Sequence, residues 1–165
     1  MSGLSTLDVL LADDNSHMRE IVSTMLRSIG VRHVREAEDG SAALVALRNK
    51  PADIAIVDFK MLPLDGVSFT RLIRTAPDSP APFLPIIMMT GHSDISRVCE
   101  ARDVGVTELL TKPVTAKSLL SRIEAVIMQP RAFIKTDDYF GPDRRRKIVL
   151  DYPGPYRRST DPRRS

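Results

Sequence analysis

The chain has 165 residues, 42% apolar and 27% charged, with a net charge of +3: room for one domain with a core, plus a tail. Its apolar runs are far shorter than the roughly 20 residues of a membrane span, and the acid-interrupted N-terminus "MSGLSTLDVLLADD" lacks the basic region of a secretory signal. The single Cys99 allows no internal disulfide, which fits a reducing cytoplasm, and with His17, His33 and His92 it makes no metal-ligand spacing.

The elements alternate along the chain. "LDVLLAD" (7–13) reads as a short buried strand, and 16–29 has helical spacing (Met18, Ile21, Val22, Met25, Leu26, Ile29) up to Gly30. A second strand is expected at 31–38, a helix at 40–50, and a third strand at 52–59, apolar throughout as in a strand covered on both faces. A helix over about 66–75 precedes the loop "APDSPAP". The fourth strand is 85–90, then a helix at 94–105, the fifth strand at 106–112 and a last helix at 116–129 with Leu119, Leu120, Ile123, Val126 and Ile127 on one stripe. Five β-α units predict an open parallel sheet with helices on both faces. In such sheets ligand sites lie at the carboxyl ends of the strands.

Those ends carry chemistry. The first strand ends in Asp13 and Asp14, the third in Asp58, the fourth in Thr90 and the fifth in Lys112 and Pro113. Carboxylates converging on one rim repel each other unless a cation joins them, and oxygen ligands suit Mg2+. One carboxylate can then attack a phosphoryl donor, with a lysine and a hydroxyl steadying the phosphoryl oxygens.

With these residues in this order, residues 6–128 resemble the receiver domain of bacterial response regulators. The resemblance implies a flavodoxin-like fold with strand order 2-1-3-4-5. It implies that Asp58 is the phospho-acceptor and that Asp13, Asp14, Asp58 and the backbone carbonyl of Lys60 hold Mg2+. Thr90 and Lys112 would contact the phosphoryl group, and Pro113 would follow a cis peptide. Such a domain is no enzyme toward an outside substrate, although it can catalyse its own phosphorylation and dephosphorylation at Asp58. Two departures stand out. Receivers usually read D-x-x-M-P-x-x-D-G after the acceptor, whereas here "FKMLPLDG" puts Leu62 at the proline position and Pro63 one place late. Leu109 stands where the family has Tyr or Phe, which removes the aromatic read-out of phosphorylation and points to another input.

Past Gln129 the periodicity stops and prolines accumulate, so 130–165 is expected to be an irregular extension, mobile without ligand, in which "KIVL" (147–150) can extend against the body. Residues 1–129 hold 14 Lys+Arg against 16 Asp+Glu; residues 130–165 hold 10 against 5, so +5. All three tyrosines lie there. Tyr139, Gly141, Pro142, Asp143, Arg144 and Arg145 spell Y-x-G-P-x-R-R, continued by Arg146. Thirteen residues on, Tyr152, Gly154, Pro155, Tyr156, Arg157 and Arg158 spell it again. Arginine forks onto guanine or phosphate and stacks on rings. Tyrosine adds a stacking face. Gly-Pro turns the chain. Each copy reads as a clasp for a guanine nucleotide, and the two, up to about 43 Å apart when extended, suit a ligand with two-fold symmetry. Tyr156 replaces Asp143 in the second copy, which predicts a different reading of its guanine.

The tandem pattern resembles the arginine-rich extension of the Cle group, CheY-like single-domain receivers that bind cyclic di-GMP and engage the flagellar motor switch. The resemblance implies an ordered tail around an intercalated dimer of that ligand. It also implies a cytoplasmic protein recruited to the flagellated pole, docking through 94–112, with a cognate histidine kinase as a further partner. The rivals are a basic tail that binds nucleic acid without specificity or is merely solvated, on a receiver driven by phosphorylation.

Overall fold

The strand that read as covered on both faces, 52–59, is the centre of the sheet. In a computed structural model describing residues 2–143, β3 (Ile54–Asp58) and β4 (Ile86–Thr90) are buried at every position. They are joined by β1 (Asp8–Ala12), β2 (His33–Ala37) and β5 (Glu108–Thr111) in a parallel sheet of order β2-β1-β3-β4-β5. This is the flavodoxin-like order expected. Alternate residues feed two cores, as the two-residue period of a strand requires. Leu10, Val57, Ile86 and Met88 pack with Phe69 and Ile73 of α4 (Gly66–Thr75) and Leu47 of α3 (Gly40–Asn49). Leu11, Ile56, Ile87 and Met89 pack with Leu26 of α2 (Ser16–Ser28) and Leu119 and Ile123 of α6 (Ala116–Met128). A four-residue α1 (Ser2–Ser5), which no periodicity announced, seats Leu4 in this second core.

Four of the helices start on a side-chain cap. Asn15, Asp39, Asp65 and Thr115 accept from the backbone N–H three residues on, and Ser118 completes a capping box with Thr115. The helix expected over 94–105 lacks such a cap. It begins as a 3-10 turn, His92–Arg97, and becomes α5 only over Val98–Val104, ending at Gly105 with φ of +102°, where a side chain would be strained.

The first part of the extension differs from the irregular segment expected. Phe133–Lys135 (β6) pairs antiparallel with Phe140–Pro142 (β7), and the N–H of Thr136 closes the turn on the Tyr139 carbonyl at 2.7 Å. A two-stranded hairpin alone is marginal; this one is held by the body. The rings of Phe83, Phe133 and Phe140 meet at centroid distances of 5.2–5.5 Å. Arg74 of α4 lies over Phe133 at 4.9 Å. Arg131, just before the hairpin, pairs at 3.5 Å with Glu108 of β5, which also pairs with Arg122 of α6. The hairpin therefore sits at the amino-terminal ends of β4 and β5, opposite the rim. "KIVL" and everything from Arg144 on lie outside the described residues.

Candidate functional site

Parallel strands carry all their carboxyl ends to one side, so Asp13, Asp58, Thr90 and Lys112 arrive at one rim from four places in the chain. Asp13, Asp58 and Lys112 border a cleft of about 680 Å3 with Asp14, Lys60 and Arg97 in its wall. Asp58 ends β3 and is 5% exposed. The ammonium of Lys112 lies 2.7 Å from its Oδ1. Lys112 is aimed by its own backbone, whose N–H donates to the Thr90 carbonyl at 2.7 Å, and it precedes a cis peptide to Pro113 as the family resemblance implied. A second cis peptide joins Leu62 to the late Pro63, and Leu62 is 79% exposed at the cleft. Thr90 ends β4, buried.

The electrostatics suit a cation-assisted nucleophile. Burial pushes the Asp58 carboxyl up to about 6 against the pull of the Lys112 hydrogen bond, and the Asp13 charge adds to the rise. Asp13 is raised by burial as well, opposed by the Asn15 N–H on its Oδ1. Its Oδ2 is buried with no hydrogen-bond partner among the described residues. A buried carboxylate oxygen without a partner is costly unless a cation faces it. Among the described residues no three His, Cys, Asp or Glu side chains converge as a closed cage. Mg2+ does not need one: it keeps several waters and uses one or two carboxylates. The donor set fits that ion, with Asp13 and Asp58 in the cleft, exposed Asp14 beside them and Lys60 in the wall.

Residues 9–124 match the response regulator receiver domain family. The chain belongs to that family. The receiver is 32% identical over 120 residues to the chemotaxis protein CheY of Pseudomonas aeruginosa, covering 73% of this chain and 95% of that one. It is similar in structure to the chemotaxis response regulator CheY4 of Vibrio cholerae, with a TM-score of 0.66 and 31% identity over 73% of this chain and 98% of that one. It is also similar to the receiver domain of a P. aeruginosa sensor histidine kinase, TM-score 0.64 and 29% identity over 72% of this chain and 94% of that one. That structure holds a magnesium ion in its active site cleft.

At the remaining predicted positions the receiver gives a mixed answer. Leu109 is half-buried in β5 and packs with the first core, a fixed aliphatic where the family pattern has a ring. Of the first Y-x-G-P-x-R-R copy, Tyr139 is 8% exposed and its hydroxyl donates to the Pro142 carbonyl at 2.7 Å. Its ring packs inside the hairpin, so it is not the open stacking face expected of a clasp. Gly141 lies so close to Gly105 and the Tyr139 hydroxyl that a Cβ would meet them at 2.9 and 2.7 Å. Pro142 is buried, and the N–H of Asp143 donates to the Ala132 carbonyl. Arg144, Arg145, Arg146, Tyr152, Gly154, Pro155, Tyr156, Arg157 and Arg158 lie outside the described residues. None of the copy's described residues lines the rim cleft.

Two residues at the rim went unnoticed in the sequence. Asp94, 5% exposed, accepts the Gly91 N–H at 2.9 Å and pairs with Lys60 at 3.4 Å, tying the loop after β4 to the loop after β3. An acid three places past a glycine at a strand end is a turn signature that could have flagged it. Arg97 lies 4.7 Å from the centroid of the Phe59 ring; nothing in the local sequence announces that contact.

Proposed function

We propose that this receiver is a cyclic di-GMP effector: its extension binds the dinucleotide and its body engages the flagellar motor switch to tune motility. The observation that carries the reading is the tandem Y-x-G-P-x-R-R on a segment of charge +5 behind a receiver whose switch position is Leu109. Four arginines in two pairs match four phosphate charges and four guanines of an intercalated dimer, and Leu109 argues for an input other than an aromatic rotamer. The matches to chemotaxis proteins support a motor-switch partner. The protein acts in the cytoplasm and is recruited to the flagellated pole through that partner.

The rim keeps its own chemistry. An oxygen of ionised Asp58 attacks the phosphorus of a phosphohistidine on a histidine kinase; the O–P bond forms, the N–P bond breaks, and the imidazole takes up a proton. Lys112 neutralises a phosphoryl oxygen and Thr90 donates a hydrogen bond to it. Mg2+, when bound at Asp13 and Asp58 with Asp14 and the Lys60 carbonyl, supplies further charge neutralisation.

Calorimetric titration of the full chain with cyclic di-GMP tests the reading. Binding with guanine selectivity at moderate salt is expected, and Arg145→Ala or Arg158→Ala should weaken it about tenfold or more, since a bidentate guanine contact contributes about 1–3 kcal/mol. Arg145→Lys should not rescue it, because lysine keeps the charge and loses the planar fork. Equal binding of cyclic di-AMP or random single-stranded RNA would replace this reading with non-specific nucleic-acid binding.

A further inference from the structure

A second cavity, about 590 Å3, lies between the hairpin turn and the ends of α4 and α5, at the base of the sheet. That volume is within the roughly 300–1,000 Å3 of small-molecule pockets. Three cations line it: Arg71, Lys135 and Arg74. Arg74 is the telling one. It is 3% exposed, donates to the carbonyls of Gly105 and Pro82 at 3.0 and 2.9 Å, and among the described residues forms no ion pair with a carboxylate. A buried charge without a counter-ion favours an anion beside it. Burial lowers its pKa to about 10, against the influence of Tyr139, so it stays charged at neutral pH.

The walls select the rest of the ligand. Phe83 is 62% exposed, an apolar ring left facing water on the open side of the aromatic cluster. Such a ring is a platform for a flat heterocycle. The rim acids, Asp103, Asp137 and Asp138, oppose a bare phosphate. They favour a ligand that also presents paired N–H donors, as the Watson–Crick edge of guanine does. We propose that this groove is a guanine-nucleotide subsite, with phosphate at Arg71, Lys135 and Arg74, and the base against Phe83. That its physiological occupant is part of the cyclic di-GMP held by the tail rests on the proposed function; the groove's chemistry does not.

The test uses the full chain and two probes, GMP and cyclic di-GMP, followed by amide NMR and calorimetry. Both probes should shift the amides of Arg71, Phe83, Lys135 and Phe140, and AMP should do so far more weakly. Arg71→Ala combined with Lys135→Ala alters exposed side chains only, and Phe83→Leu keeps an apolar contact for Phe133 and Phe140 while removing the flat ring; each should weaken cyclic di-GMP binding tenfold or more. Amides unmoved by both probes, or variants that bind as the native chain does, overturn the subsite. If GMP fills the groove while the native chain binds no cyclic di-GMP, the tail reading falls and the subsite stands.

Discussion

Asp58 shows how one residue is tuned by burial and two neighbours. Burial holds its carboxyl near 6, Asp13 pushes it up, and Lys112 at 2.7 Å pulls it down. In the proposed transfer the nucleophile is the carboxylate, so phosphoryl transfer without Mg2+ should fall as pH drops through about 6. Mg2+ favours the charged form and should move that limb to lower pH. Lys112→Gln removes the lowering influence and should move it higher. Phosphate incorporation against pH, read by mass spectrometry, checks all three, and Asp58→Ala should show none. A midpoint unmoved by Lys112→Gln would separate the lysine from the carboxyl. The same shift bears on folding. A carboxyl whose folded pKa lies above its unfolded value adds stability below about 3.8, and loses it as pH rises through about 6. Mg2+ should therefore stabilise the fold most clearly at neutral pH, visible as a raised Tm.

The hairpin is the element on which the extension depends. Tyr139→Phe deletes the hydroxyl that satisfies the Pro142 carbonyl, and should cost about 1 kcal/mol of local stability. Phe133→Ala removes the ring shared by Phe83, Phe140 and Arg74, and should cost more. Hydrogen exchange should show faster exchange at 133–142 in both variants, with β1–β5 still protected; loss of protection throughout would mean that the hairpin is part of the core fold. How legible these elements were follows from period and length. The open parallel sheet could be read because five short strands alternate with striped helices, and its order followed from the family resemblance. The split of 94–105 was hidden, since "DISRVCEARDVG" has helical spacing and only the absence of a cap at Arg97 breaks it. The hairpin was hidden for a different reason. Its strands are three residues each, too short to show alternation, and its stability comes from Phe83 and Arg74, about 50 to 65 residues away in sequence. In the same way Tyr139 looked like a ligand-binding ring, because a repeated motif does not reveal which of its residues a neighbouring turn has already used.

At the scale of the whole molecule, the phosphoryl rim and the root of the extension occupy opposite ends of the sheet. β5 spans between them, with Lys112 just past one end and Glu108, the partner of Arg131, at the other. Four residues of strand separate the two by about 13 Å. At an effective dielectric constant of about 20, one unit charge at that distance is worth about 1.3 kcal/mol, and salt with a Debye length of about 8 Å cuts this to roughly 0.3 kcal/mol. Direct electrostatics between Asp58 and a ligand at the root of the extension is therefore worth less than a twofold change in affinity. Asp58→Ala should leave cyclic di-GMP binding within that range, and cyclic di-GMP should leave the affinity for a phosphoryl analogue equally unchanged, because coupling between two binding events is reciprocal. Calorimetry on the native chain and on Asp58→Ala gives the first comparison; a phosphoryl-analogue titration with and without the dinucleotide gives the second. A change above about tenfold, roughly 1.4 kcal/mol, exceeds what charge alone can carry across the sheet. It would mean that β5 itself shifts between two arrangements, with Leu109 in the place where this movement has to be accommodated and Glu108–Arg131 as the contact that passes it to the hairpin.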